Sequence, residues 1–328
     1  MSKGLITIFG GSGFIGRYAA RECVKAGYRV RIACRRPGLA GDVRLAGAPG
    51  WVDIVQANIR DTDSVQRALQ GADAVVNLVG ILNESGKQSF QTVQAEGAAN
   101  IAKAVHEAGI ERFIHVSAIG ADASSASAYG RTKGEAEAAI RAIMPEAVIL
   151  RPSIVFGPED EFFNRFATLA RVSPALPAIG GGHTKLQPIY AGDVAKAIAA
   201  AIETETAKGQ TYELGGPNIY TFNEIYDYIL KTVCRKRFKV PLPFGVAKLI
   251  GVLLKTSFRF IPPLVWLFGP PPITDDQVEM LKADNIVDPE SLSLADLGLH
   301  QPISVESIVP GYLWRHRPQG EFTQTGDI

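Results

Sequence analysis

The chain predicts an α/β fold: a Rossmann-type doubly wound parallel sheet carrying a smaller C-terminal α+β lobe. An apolar run near the N-terminus ends in three spaced glycines, and strand patterns then alternate with helix patterns as far as Arg151. Beyond that point prolines and glycines gather and the alternation fails. Residues 1–151 are therefore assigned mainly to the sheet domain and 152–328 mainly to the lobe and a partner-binding segment, with returns of the chain to the sheet left open.

Leu5 to Phe9 reads as the first strand, and Gly10, Gly13 and Gly16 follow before a helical pattern from Phe14 to Ala26. Gly10 suits a tight turn, Gly13 a backbone approaching a pyrophosphate, and Gly16 a helix lying close to the sheet. With Ser12, Phe14 and Ile15 they form a dinucleotide turn whose helix N-terminus faces phosphates. The second strand, Arg29 to Cys34, runs into Arg35 and Arg36, where a carboxylate is expected about 20 residues past the glycines if a ribose 2′-hydroxyl is bound. Guanidinium groups suit a 2′-phosphate instead, so NADP(H), as NADPH, is favoured over NAD(H). The alternative, two solvated loop arginines, stays open at this point.

Val52 to Ala57 is the third strand, ending in Asn58-Ile59-Arg60-Asp61, where Asp61 and the backbone are placed near an adenine. A helix over Asp61 to Leu69 leads to the fourth strand, Ala74 to Val79, which carries Asn77, Leu78, Val79 and the small Gly80 to the ligand edge. A second crossover over Val93 to Ala108 precedes the strand Arg112 to Ser117, and a third helix over Tyr129 to Ile143, closed by Pro145, precedes Val148 to Arg151. Pro152 and Ile154, just beyond, are placed among the cofactor contacts.

Composition describes an ordinary globular chain of 328 residues with 46% hydrophobic and 20% charged residues and a formal net charge of +1. That balance gives no global attraction to nucleic acid, and no nucleic-acid partner is expected. Cys23, Cys34 and Cys234 are odd in number and far apart, which fits reduced thiols. No export signal is read at Met-Ser-Lys-Gly, and no run of roughly eighteen apolar residues predicts a spanning helix. His106, His115 and His183 lack metal-ligand spacing, so no metal is expected. His183, after three glycines, is placed within reach of the site's mouth.

The order Gly10-x-x-Gly13-x-x-Gly16, Asn58 to Asp61, Asn77 to Gly80, Ser117 and Tyr129-x-x-x-Lys133 resembles the short-chain dehydrogenase/reductase family, in its extended or atypical branch. The resemblance implies that Tyr129 is the general acid/base, that Lys133 lowers its pKa while holding the nicotinamide ribose, and that Ser117 is the third catalytic position. Independently of the family, a spacing of four puts Tyr129 and Lys133 on one helix face. Two departures bear on turnover. Ala118 and Ile119 stand where extended members carry a hydroxyl, leaving Ser117, and Ser124, Ser125 or Ser127, as alternatives. Gln94-Ala95-Glu96-Gly97-Ala98 replaces a pattern usual near the catalytic centre. The catalytic set is read as vestigial.

Arg151 to Asp160, Phe162 to Ala167, Leu186 to Ala195 and Asp275 to Val287 are similar to the nucleotide-binding accessory subunits of respiratory complex I, the NADH:ubiquinone oxidoreductase. This implies a non-catalytic subunit with tightly held NADPH, attached to peripheral-arm subunits and to the membrane surface near the quinone-binding region. Its location would be the cytoplasmic face of the inner membrane, matrix-facing if mitochondrial. A free-standing NADP-dependent epimerase or carbonyl/steroid-type reductase, and a nucleotide sensor without chemistry, are the alternatives.

Residues 235 to 273 bear on that choice. The basic run Arg235 to Lys239 precedes a helical pattern with Val246, Leu249, Ile250 and Leu253 on one face and Lys248, Lys255 and Arg259 on another. Phe260 to Gly269 is uncharged but short and broken by proline. Such a segment fits a headgroup layer or a membrane-protein partner, or else the lobe's own core.

Overall fold

The computed structural model describes residues 2–260 and 274–323, with the side chains of 254–260 excepted. The side chains of Lys255 and Arg259 and the apolar run from residue 261 to 269 thus lie outside what is described.

Six of the sheet's strands lie in the first part of the chain: β1 (Leu5–Phe9), β2 (Arg29–Cys34), β3 (Val52–Gln56), β4 (Ala74–Asn77), β5 (Arg112–Val116) and β6 (Val148–Pro152). The helices α1 (Phe14–Lys25), α2 (Thr62–Leu69), α3 (Glu96–Glu107) and α4 (Ala128–Ile143) cross between them. β1 and β2 have the expected bounds and β6 runs one residue past Arg151, whereas β3, β4 and β5 end a residue or two before the sequence pattern does. Ala57, Leu78 and Ser117 each donate one more ladder bond, to Cys34, Phe9 and Leu150, and the chain then splays toward the ligand edge.

In the second part come α5 (Phe163–Val172), β7 (Ala175–Ile179), α6 (Ala191–Glu203), β8 (Thr211–Leu214), α7 (Phe222–Thr232), β9 (Phe238–Leu242), α8 (Phe244–Phe260) and α9 (Asp275–Met280). The main sheet runs β8-β6-β5-β4-β1-β2-β3, parallel throughout, and its order reverses between β1 and β4. Such a reversal leaves a crevice at the strands' carboxyl ends. β8 is contributed from beyond residue 151, and so is α6, which packs on α1.

Alternation along β1 divides the core. Ile6 and Ile8 join Ala19, Ala20, Val194 and Ile198 on the α1/α6 face. Phe9 joins Val75, Phe113, Ile101 and Ile140 on the face covered by α2, α3 and α4. The Arg151 guanidinium ties three elements, donating to both Glu137 oxygens on α4 at 3.0 and 2.6 Å and lying 3.7 Å from Glu213 on β8. The lobe has its own core, built on Phe156, Phe163, Phe222 and Tyr226.

Where one helix is expected from Val93 to Ala108, residues Gln91–Ala95 make a π-helical turn before α3 begins. The physical reason lies in Gln94, which is buried. Its amide donates to the Ile81 carbonyl at 2.8 Å and accepts from the Thr132 hydroxyl at 2.9 Å, so the widened turn serves two neighbouring elements.

Among the described residues no helix is long and apolar enough to cross a membrane. In α8, Ala247 is fully buried with Ile179 and Val278. Val246, Leu249, Val252 and Leu253 are exposed, Leu249 by 60% and Leu253 by 58%, while Ile250 is half-buried. These leucines are thus outside the lobe's core. Lys248 is exposed as expected, and its ammonium lies 3.2 Å from Glu279 on α9.

Candidate nucleotide cleft

One cleft of about 690 Å³ runs along the sheet's carboxyl edge and continues under the lobe. Its sheet-side wall holds Gly10, Ser12, Gly13, Phe14, Ile15 and Gly16, then Arg35, then Asn58, Ile59 and Arg60, then Leu78, Val79 and Gly80. Ser117, Tyr129, Lys133, Pro152 and Ile154 line its centre. Arg36 and Asp61 are not in this wall; both are exposed, and Asp61 stands at the N-terminus of α2. His183 is exposed and does not reach the cleft, since its glycine turn carries it to the lobe surface.

The glycine turn has the geometry that a bound pyrophosphate needs. Gly10 has φ +77°, and a Cβ there would meet the Leu78 and Val79 backbone at 3.1–3.2 Å. At Gly16 a Cβ would sit 2.5 Å from Gly11 Cα and 2.6 Å from the Gly10 carbonyl, so only glycine lets α1 start this close to the turn. Gly13 caps α1 without a side-chain hydrogen bond, leaving first-turn N–H groups for a ligand. Nearby, Arg35 contacts the Gln88 side chain, and Arg60 donates to the Lys87 carbonyl at 2.9 Å. These features fit a dinucleotide with its adenosine end toward the two arginines.

At the centre, burial dominates the electrostatics. The Lys133 ammonium donates to the Val116 carbonyl at 3.0 Å, and burial pushes its pKa down to about 8. His115 lies behind it. Its Nδ1 accepts from the Asn77 amide at 3.1 Å, and burial, then the Lys133 charge, hold its pKa well below the usual range. That bond places the ring's hydrogen on Nε2, which is buried without a partner among the described residues. The Ser117 hydroxyl is likewise buried and unpartnered there.

Tyr129 packs edge-on to Phe90 at 5.9 Å, and its pKa is pushed up to about 12 by burial and then by the Asp276 carboxylate. Asp276 comes from α9. Its carboxylate accepts from the Ser127 hydroxyl at 3.0 Å and from the backbone N–H groups of Ala128 and Tyr129 at 2.6 and 3.2 Å, capping α4 from another part of the chain. A reciprocal box between Thr274 and Gln277 fixes the start of α9 and so the direction of Asp276. Sequence reasoning gave Asp276 no role, although the Thr-x-x-Gln box was legible. It also missed the lobe-side wall, where Phe162 and Phe166, one helical turn apart, were the available signal.

The model of the family described as "NAD dependent epimerase/dehydratase family" matches residues 6–215. The chain belongs to that family. Within and around it, the chain is 36% identical over 313 residues to the mitochondrial NADH dehydrogenase [ubiquinone] 1 alpha subcomplex subunit 9 of Mus musculus, covering 95% of this chain and 80% of the relative. The subunit of the same name from Arabidopsis thaliana is 35% identical over 297 residues, 89% of this chain and 73% of the relative. The NADPH-dependent quinone oxidoreductase QOR2 from Escherichia coli, solved with NADPH, superposes with a TM-score of 0.71 at 20% identity, covering 94% of this chain and 99% of that one. This last likeness concerns the fold alone. The epimerase/dehydratase match ends at Gly215, just past β8, so it spans the sheet while α7, α8 and α9 lie beyond it.

Proposed function

We propose that this chain is an NADPH-binding accessory subunit of respiratory complex I, holding its nucleotide as a structural element. The observation that carries the reading is one cleft in which an intact phosphate cradle meets a centre lined by Ala118 and Ile119, the positions where extended members of the family carry a hydroxyl. The likeness to the mouse and plant subunits supplies the assembly.

NADPH brings a hydride donor to the cleft when bound. The protein's own part is to bind and orient it. The first turn of α1 faces the pyrophosphate, and Arg35, with Arg60 beside it, supplies the charge for a 2′-phosphate. Lys133 and Ser117 hold the ribose and nicotinamide end. Attachment falls to the exposed apolar residues of α8 and to Phe238 and Val240 of β9, flanked by Lys236 and Lys239, at the membrane-proximal side of the peripheral arm. The chain then lies peripherally on the cytoplasmic or matrix face of the inner membrane.

Extraction of native membranes in mild detergent tests this reading: the chain should copurify with NADH:quinone oxidoreductase activity and release NADPH on denaturation. Recovery only as a free protein that turns over NADPH with carbonyl compounds would overturn it. A second reading, an NADP-dependent carbonyl reductase, is favoured by one observation, the unpartnered Ser117 hydroxyl beside Tyr129 and Lys133. Steady-state NADPH oxidation abolished by Tyr129→Phe would select it.

A further inference from the structure

The lobe carries a separate concentration of charge, on surface that does not line the nucleotide cleft. Arg171 stands in the last turn of α5, Arg235 and Arg237 in the turn between α7 and β9, and Arg315 and Arg317 on either side of His316. Hydrogen bonds draw these segments together. Arg235 Nε donates to the His316 carbonyl at 3.1 Å, Arg237 Nε to the carbonyl of Ala170, beside Arg171, at 2.7 Å, and Arg317 Nε to the Thr232 carbonyl at 2.9 Å. Every one of these acceptors is neutral. Arg112 and Arg151 meet glutamates elsewhere in the chain, whereas none of the lobe arginines in this cluster pairs with a carboxylate among the described residues. Arg171 makes no side-chain hydrogen bond there, and Arg235 spends only its Nε.

Like charges gathered without a counter-ion repel one another. Arg235 is held below its ordinary range by burial and then by the charges of Arg237 and Arg171. The turn that presents it is strained, because Cys234 adopts φ +55°, in the left-handed region that favours glycine. Within the cluster His316 is buried, and both its ring nitrogens lack a partner among the described residues. Burial, then the charges of Arg315, Arg171 and Arg235, push its pKa down to about 4.

We infer that this face of the lobe binds a phosphate group, with the guanidinium forks of Arg171 and Arg235 meeting its oxygens and Arg237 and Arg315 completing the charge. Guanidiniums that converge from separate segments suit a tetrahedral oxyanion better than a planar carboxylate. The inference rests on a surface apart from the cleft, so it is independent of the nucleotide reading and of any assembly. Soluble metabolites and lipid headgroups present the same oxygens.

The test uses the full-length protein saturated with NADPH, titrated with inorganic phosphate or with acetate at constant ionic strength. Phosphate should bind saturably and raise the melting temperature, and acetate should do neither. Arg171→Gln should weaken phosphate binding by about tenfold to a hundredfold, the loss of one charged hydrogen bond, with NADPH affinity unchanged. Without phosphate the same variant should melt no lower than the parent, since it removes a repelling charge. The His316 imidazole, followed by NMR, should titrate at higher pH once phosphate is bound. Flotation with phosphatidylcholine vesicles, with and without phosphatidic acid, separates the sources: flotation that needs both phosphatidic acid and Arg171 assigns a headgroup, and binding of the free ion alone assigns a soluble phosphate. Non-saturable phosphate binding, equal binding of acetate, or full phosphate affinity in Arg171→Gln overturns the inference. Should NADPH itself fail to bind, phosphate binding that follows Arg171 still reports on the lobe alone.

Discussion

The two halves of the cleft are built by different means. The sheet-side half is made of backbone: a left-handed Gly10, a Gly16 with no room for a Cβ, and unpaired N–H groups at the start of α1. The lobe-side half is made of side chains carried in on separate helices, with rings from α5 and α7 and a carboxylate from α9. A backbone site tolerates almost no substitution but is indifferent to what the rest of the chain does. A side-chain site can be retuned residue by residue, and depends on how the helices meet.

The strongest way to break this contrast is Gly16→Val. The new side chain would collide with the Gly10 and Gly11 backbone, so NADPH retention should be lost and the melting temperature should fall by several degrees, the cost of overpacking being about 1–3 kcal/mol or more. Retained NADPH affinity in this variant would show that the turn does not hold the pyrophosphate.

Next in size is Leu249→Asp with Leu253→Asp. Burying each leucine against a partner is worth roughly 1.5–3 kcal/mol. The pair should therefore release the protein from a membrane-bound assembly, as read by flotation or sedimentation, while NADPH binding and the isolated fold persist. Unfolding of the isolated protein would contradict the exposure of both residues.

Arg35→Glu sharpens the contrast inside the backbone half, because it alters the side chain proposed to meet a 2′-phosphate. NADPH affinity should fall by about tenfold to a hundredfold, from a charged hydrogen bond worth roughly 1.5–3 kcal/mol, and NADH affinity much less. Equal weakening of both nucleotides would remove the 2′-phosphate assignment.

The smallest effect belongs to Asp276→Asn. Removing the carboxylate should lower the Tyr129 pKa from about 12, visible as phenolate absorbance appearing at lower pH than in the parent. The sign follows from linkage. A phenol whose folded pKa lies above its ordinary value of 10.0 contributes stability that is complete below that value and is lost as pH rises toward about 12. The variant should lose this contribution over a narrower alkaline range. An unchanged Tyr129 titration would place the cause in burial alone.

Legibility in the sequence followed the same division. Gly10, Gly13 and Gly16, Arg35 at the end of β2, and Tyr129 with Lys133 on α4 are encoded by short spacings, because local backbone geometry positions them. Asp276 meets Tyr129 across 147 residues of chain, and Tyr226 meets Phe166 only because α5 and α7 pack together. No local period carries that information. Arg36, adjacent to Arg35 in sequence, lies past the end of β2, is exposed and does not line the cleft, which the shared spacing from the glycines does not reveal.

The return of β8 and α6 to the sheet has a consequence for how this molecule comes apart. Residues 1–151 on their own would lack the β8 edge strand beside β6 and the helix that covers α1, exposing Ile6, Ile8, Ala19 and Ala20. Interlaced segments of this kind melt together. Calorimetry should show one heat-absorption peak, a protease cut near residue 157 should leave the fragments joined until denatured, and a nucleotide bound on the sheet side should delay cleavage throughout the lobe.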